Sequence, residues 1–143
     1  MTKVFLDTNV LFDFFAERKP FDKEAEEIME LAYDKQVVLF CSAISYTTVF
    51  YLLSKLNGRH KAFMAIKDMR ELINTVTVDS HIIDKALENG NPDFEDGIQL
   101  ECAFSVAKLN TLVTRNPKHF KSKQLLIQTP KEFLDAFNQT IHE

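Results

Sequence analysis

The feature that most constrains this chain is a series of short apolar runs, each of strand length, separated by helix-length segments. The runs are Val4-Phe5-Leu6, Val37-Val38-Leu39-Phe40, the β-branched Thr75-Val76-Thr77-Val78, Thr111-Leu112-Val113-Thr114 and Gln124 to Gln128. Unbroken apolar runs, rather than an apolar–polar alternation, mark strands covered on both faces, which is the pattern of a parallel sheet. Parallel neighbours need right-handed crossovers, and the intervening segments are long enough to supply them as helices. The expected fold is a three-layer α/β/α arrangement around a mainly parallel sheet of four to five strands. All 143 residues, 1–143, are expected to form a single domain.

The intervening segments carry helix signals. Val10 to Glu17 is too apolar for a surface helix, and Pro20 stops it. Phe21 to Lys35 is amphipathic, with Ala25, Ile28, Met29, Leu31 and Ala32 on one side and acids on the other. Ser42 caps a helix to about Leu56 that Asn57-Gly58 ends, and His60 to Ile73 forms the next. Asp79 or Ser80 caps a helix to Glu88, closed by Asn89-Gly90. Asn91-Pro92 then opens one that runs to Lys108, and Thr129-Pro130 starts a last helix to about Asn138. Tyr46, Val49, Phe50, Leu52, Leu53 and Leu56 are more apolar than one helical stripe requires, so part of this surface is available for a homodimer contact.

Several function classes are excluded. No apolar run approaches the ~20 residues of a membrane span, and the chain enters its first strand without a signal-peptide core. Cys41 and Cys102 are far apart and form no CxxC pair, so they read as buried thiols of a reducing cytosol. The expected location is the cytoplasm, with no membrane partner. No GxGxxG or GxxxxGK[ST] cradle exists for a dinucleotide or nucleoside triphosphate. His60, His81, His119 and His142 lack HExxH spacing and read as surface or partly buried residues. The formal charge of −4 conceals a segregation, with eight acids against three bases from Asp13 to Asp34, and five bases and no acid from Lys108 to Lys123. A polyanion can therefore be bound locally in spite of the negative total, because screening limits each charge to its own ~8–10 Å neighbourhood.

In an open α/β sheet ligands bind beyond the carboxyl ends of the strands. Asp7 and Asn9 follow the first run directly, and Thr114, Arg115 and Asn116 end or follow the fourth. Asp93, Glu95 and Asp96 occupy the first turn of the preceding helix, where Asp93 and Asp96 share a face. Taken singly, these residues could be helix caps, dipole partners or a turn starter. Taken together they gather acids at one sheet edge, where two carboxylates ~4 Å apart repel by ~4 kcal/mol at an effective dielectric of ~20. Such a set binds a divalent cation, and oxygen-only ligands favour Mg²⁺ or Mn²⁺.

Three stretches, in order, resemble the PIN domain family of VapC-type toxin ribonucleases. Val4-Phe5-Leu6-Asp7-Thr8-Asn9-Val10-Leu11 resembles its first motif, and Pro92-Asp93-Phe94-Glu95-Asp96-Gly97-Ile98-Gln99 its third. Leu112-Val113-Thr114-Arg115-Asn116-Pro117-Lys118-His119-Phe120 resembles its closing motif. The resemblance implies a metal-dependent endoribonuclease that hydrolyses single-stranded RNA or a tRNA loop, leaving a 5′-phosphate and a 3′-hydroxyl. It also implies a homodimer and an antitoxin partner. Asp7 and Asp96 would be the metal ligands, and Asp93 a ligand or outer-shell acid. Thr114 and Asn116 would orient ligands or the attacking water. Asn9 would lie on the substrate side, and Arg115 and Lys118 would contact phosphate.

The chain departs from the family pattern at two positions: Thr48 stands where a Glu is usual, and Asn116 where many members have Asp. The expectation is weaker metal affinity and a doubtful second metal. Glu95 is not expected to compensate, because a helix turns it about 100° from Asp96. These departures open a second reading, an inactive PIN scaffold that binds RNA or a protein partner. A haloacid-dehalogenase-like phosphatase would share Asp7, but it needs a second Asp where this chain has Asn9.

Overall fold

All five apolar runs contribute a strand to one sheet in a computed structural model, which describes residues 1–141. His142 therefore lies outside the described residues. The strands are β1 (Thr2–Leu6), β2 (Val37–Ser42), β3 (Asn74–Val76), β4 (Thr111–Val113) and β5 (Leu126–Gln128). Their order across the sheet is β3-β2-β1-β4-β5, and every pairing is parallel. In register, Val4 lies opposite Leu39 on one side and Thr111 on the other.

The two-residue period of each strand divides the runs between two cores. Val4, Leu6, Val37, Leu39, Cys41 and Val113 face one layer, while Phe5 and Leu112 face the other. The first layer is built by α1 (Thr8–Phe15), α2 (Asp22–Tyr33), α3 (Ala43–Asn57), α4 (Arg59–Leu72) and α7 (Pro130–Ile141). The second is built by α5 (Ser80–Glu88) and α6 (Phe94–Ser105). Burying a Leu, Ile or Phe side chain contributes about 1.5–3 kcal/mol, so a run buried on both faces is strongly held in register. Both cysteines are buried and free. No helix among the described residues is long and apolar enough to cross a membrane.

Caps set the helix ends. Ser42 accepts from Ile44 N–H, and Asp79 accepts from Ile82 N–H. Gly58, at φ +88°, ends α3 and starts α4, a backbone conformation that L side chains rarely adopt. The α3–α4 hairpin uses much of the apolar excess of α3. Val49 and Leu53 are buried, Tyr46, Phe50 and Leu52 pack against the same core, and Phe50 meets Phe63 at 4.6 Å between ring centroids. Leu56 is left outside it, with Tyr51, Phe63 and Met64, each more than half exposed.

The start of α6 differs from the expectation. Helix was expected from Asn91-Pro92, yet Asn91 accepts from Asp93 N–H at 2.9 Å, and Asp93 becomes the N-cap by accepting from Asp96 N–H at 2.9 Å. Short polar side chains bonding the backbone two or three residues on compete with helix and delay it. The end also comes early, at Ser105, with Val106 extended and Lys108 at φ +59°.

Candidate active site

The chain leaves β1 for β2 on one side and reaches β4 on the other, so β1 and β4 flank the point where the winding reverses. That crevice is where open α/β sheets bind ligands. Asp7 ends β1 there as the N-cap of α1, its N–H bonded to Val113 O at 3.0 Å. Thr114 follows β4, is fully buried, and donates to Asp7 Oδ2 at 2.7 Å. Its hydroxyl also accepts from Asn116 N–H at 3.0 Å, which fixes the closing loop to Asp7.

The start of α6 enters the same crevice from the side. Its depth is set by Gly97, where an added Cβ would sit 3.3 Å from Asn89 Oδ1 and 3.5 Å from Ala86 O of α5. Glu101 holds the same pair of helices together by accepting from Asn89 Nδ2. A cleft of about 330 Å³ results, lined by Asp7, Asn9, Asp93, Glu95, Asp96 and Asn116, with Thr48, Gln99 and His119 on its walls. A second cleft shares Asp93, Asp96 and His119 with the first and carries Lys118 and Lys121.

The acids perturb one another. Burial pushes the Asp7 carboxyl above the ordinary carboxylate range, and hydrogen bonds from Thr114 and Gln99 offset part of that. Asp96 is pushed up to about 6, first by burial and then by repulsion from Asp7 and Asp93, against the pull of His119. Glu95 is raised by burial, with repulsion from Asp7 and Asp93 adding to it. Closely held carboxylates that resist ionisation together are relieved by a cation. Among the described residues, no three His, Cys, Asp or Glu side chains form a compact metal cluster. An oxygen-only set of carboxylates at one cleft fits a hydrated Mg²⁺ or Mn²⁺ held through one or two of them rather than a closed protein cage.

A family model described as PIN domain matches residues 3–118. The chain belongs to the PIN domain family. This PIN domain is 29% identical to Ribonuclease VapC1 of Aquifex aeolicus (strain VF5), over 95% of its own length and 96% of the relative's. It superposes on a toxin–antitoxin complex from Klebsiella pneumoniae with a TM-score of 0.64 at 25% identity, covering 89% of this chain and 97% of that one. It also superposes on DNA-bound VapBC from Salmonella typhimurium with a TM-score of 0.69 at 19% identity, covering 91% and 99%.

The crevice gathers Asp7, Asn9, Asp93, Asp96, Thr114 and Asn116. Asp93 is partly committed, since its Oδ1 caps α6. Asn9 Oδ1 accepts from Arg115 N–H over a long 3.5 Å. Lys118 reaches the neighbouring cleft rather than the acidic one.

Arg115 is placed differently from the phosphate contact expected of it. Its Nε donates to the buried Asp13, its guanidinium lies 4.2 Å over the Phe21 ring, and it lines a separate groove with Pro20 and Lys131. Asp13 also draws Arg18 to within 3.7 Å. Removing one partner of a buried pair leaves an uncompensated charge, so Asp13→Ala should cost about 3–5 kcal/mol in urea unfolding. A loss under about 1 kcal/mol, the range of exposed pairs, would mean the Asp13–Arg115 contact is only a surface ion pair.

Two site residues were not singled out in the sequence, and a third was set aside. Gln99, fully buried, accepts from Thr8 N–H at 3.0 Å, and its signal was a polar residue among apolar neighbours one turn after Asp96. His119 stands 3.6 Å from Asp96 Oδ2, brought there by the short 3₁₀ turn Pro117–His119. Glu95, expected to point away, lines the acidic cleft and accepts from Thr8 Oγ1 at 3.0 Å. A turn of about 100° does not separate side chains at a helix N-terminus. Side chains tilt towards that end, so first-turn residues on different faces reach forward into the same space.

Proposed function

We propose that this PIN domain is a Mg²⁺- or Mn²⁺-dependent endoribonuclease and the toxin of a toxin–antitoxin pair, acting in the cytoplasm as one domain. The observation that carries this reading is the convergence of Asp7, Glu95 and Asp96 on one cleft, with no lysine or arginine among the described residues paired to any of them. Similarity to a ribonuclease along nearly the whole chain supports an RNA substrate, single-stranded or a tRNA loop. Likeness to a toxin–antitoxin complex supports the antitoxin. Tyr51, Leu56, Phe63 and Met64, exposed on the α3–α4 hairpin, support a homodimer.

Asp7 and Asp96 hold the cation. When bound, it supplies charge stabilisation at the scissile phosphate and activation of the attacking water. Thr114 keeps Asp7 Oδ2 in one orientation, and its second hydrogen bond keeps Asn116 at the cleft edge. Asn9 and Asn116 present amides to the substrate side, Asp93 acts from the cap of α6, and Lys118 draws the RNA backbone along the adjoining cleft. Water adds to phosphorus as the bond to the 3′ oxygen breaks. The proton passes to that oxygen, leaving a 5′-phosphate and a 3′-hydroxyl.

Incubation with labelled single-stranded RNA and tRNA tests this. Cleavage in Mn²⁺, its loss in EDTA and 5′-phosphate ends are expected. Intact RNA in Mn²⁺ would replace the enzyme with the second reading, motivated by Thr48 and Asn116, of a scaffold that binds RNA or a protein.

A further inference from the structure

We propose that Glu95 is an outer carboxylate of the metal site of this PIN domain, supplying from α6, behind Asp7 and Asp96, the negative charge that position 48 of α3 lacks. The inference rests on the metal-dependent reading above and deepens it. Thr48 lines the acidic cleft, so an acid there would have pointed into it, and Glu95 approaches the same wall from the opposite helix. A relay of hydroxyls carries it across. Glu95 Oε1 accepts from Thr8 Oγ1 at 3.0 Å, and Thr8 Oγ1 meets Ser45 Oγ at 2.8 Å. Ser45 is fully buried on α3, one turn before Thr48.

Thr8 is thereby held between two helices, with its N–H on Gln99 and its hydroxyl on Glu95 and Ser45. The carboxylate is oriented but not neutralised. No basic group among the described residues lies within ion-pairing distance of it, since Arg18 of the same cleft is drawn to Asp13, and Thr8 and Thr48 offer it only neutral hydroxyls. A half-buried acid held only by neutral hydroxyls, with no paired counter-charge, is suited to a cation. Its place in the first turn of α6 adds the favourable field of the helix N-terminus, which helps keep the charge there between binding events.

Calorimetric titration of Mn²⁺ into wild type, Asp7→Asn, Glu95→Gln, Thr48→Glu and the Glu95→Gln/Thr48→Glu double variant tests this without reference to activity. Glu95→Gln is expected to weaken Mn²⁺ binding by about 10- to 100-fold, the range for outer groups that support the ligands of a metal site. The double variant is expected to recover most of that loss. Thermal melts confirm that each variant is folded, and Thr48→Asp replaces Thr48→Glu if the longer side chain is not accommodated. Binding within about twofold of wild type for Glu95→Gln, with binding abolished in Asp7→Asn, would overturn the role of Glu95 and leave the nuclease reading standing. Weakened binding that neither acid at position 48 restores would overturn the exchange of positions. Absence of Mn²⁺ binding by wild type would overturn this inference and the metal dependence together.

Discussion

Asp7→Asn is expected to lower RNA cleavage by about 10³-fold or more, since the lost cation site supplies several kcal/mol of transition-state charge stabilisation. The same change is expected to raise the melting temperature of the metal-free protein. Asp7 is 4% exposed, and burial is what raises its pKa. An amide of the same shape still accepts from Thr114, because Asn keeps one carbonyl oxygen in the place of Oδ2. It removes a buried charge that Glu95 and Asp96 repel. A gain of about 1 kcal/mol corresponds to a rise of roughly 3–5 °C for a chain of this size. Gel assays in Mn²⁺ and thermal melts in EDTA check the two halves. Undiminished cleavage would remove Asp7 from the chemistry, whereas a lower melting temperature would mean that its charge serves the fold instead.

The metal-free protein is expected to lose stability as the pH rises from about 4 to about 6. Asp96 titrates near 3.8 in the unfolded chain and at about 6 in the fold. A raised folded-state pKa means that the native state binds the proton more tightly than the unfolded chain does. Its contribution is present in full below about pH 4 and gone above about pH 6. Asp7, Glu95 and Asp13 are shifted in the same direction, each first by burial. From Asp96 alone the expected loss is about 2–3 kcal/mol, which lowers the melting temperature by roughly 6–15 °C. Millimolar Mn²⁺ binds only the ionised carboxylates, so it should restore the melting temperature above pH 6 and have little effect near pH 4. Asp96→Asn should flatten the metal-free profile. A profile that rises with pH in EDTA would show that stabilised carboxylates elsewhere outweigh the site.

The fold was legible because parallel strands are wrapped on both faces and cannot alternate. Val4-Phe5-Leu6 and Thr111-Leu112-Val113 therefore stand out as unbroken apolar runs. The caps Ser42 and Asp79 were legible for a local reason, a short polar side chain bonding an N–H two or three residues on. The same chemistry misled at α6, where Asn91 and Asp93 both compete for the backbone and push the helix start from Pro92 to Phe94. Asp7, Asp96, Thr114 and Asn116 could be named because each sits at the end of a legible element, and the end of an element next to a strand's carboxyl edge has little choice of location.

Residues whose partners are distant in sequence could not be placed in this way. Arg115 and Asp13 are 102 positions apart, and nothing local indicates that their pairing turns the guanidinium away from the acids. Gln99 finds Thr8 across 91 positions, and Glu95 finds the same residue across 87. By itself the sequence determined the strand runs, the parallel sheet and which acids stand at its edge, because these follow from burial and backbone hydrogen bonding within short segments. Only the tertiary structure decided which way the side chains at that edge face. The tilt of α6 into the crevice brings Glu95 beside Asp7 and Asp96, and the burial of Asp13 takes Arg115 out of it. Both depend on how whole helices pack, which no short stretch of residues encodes.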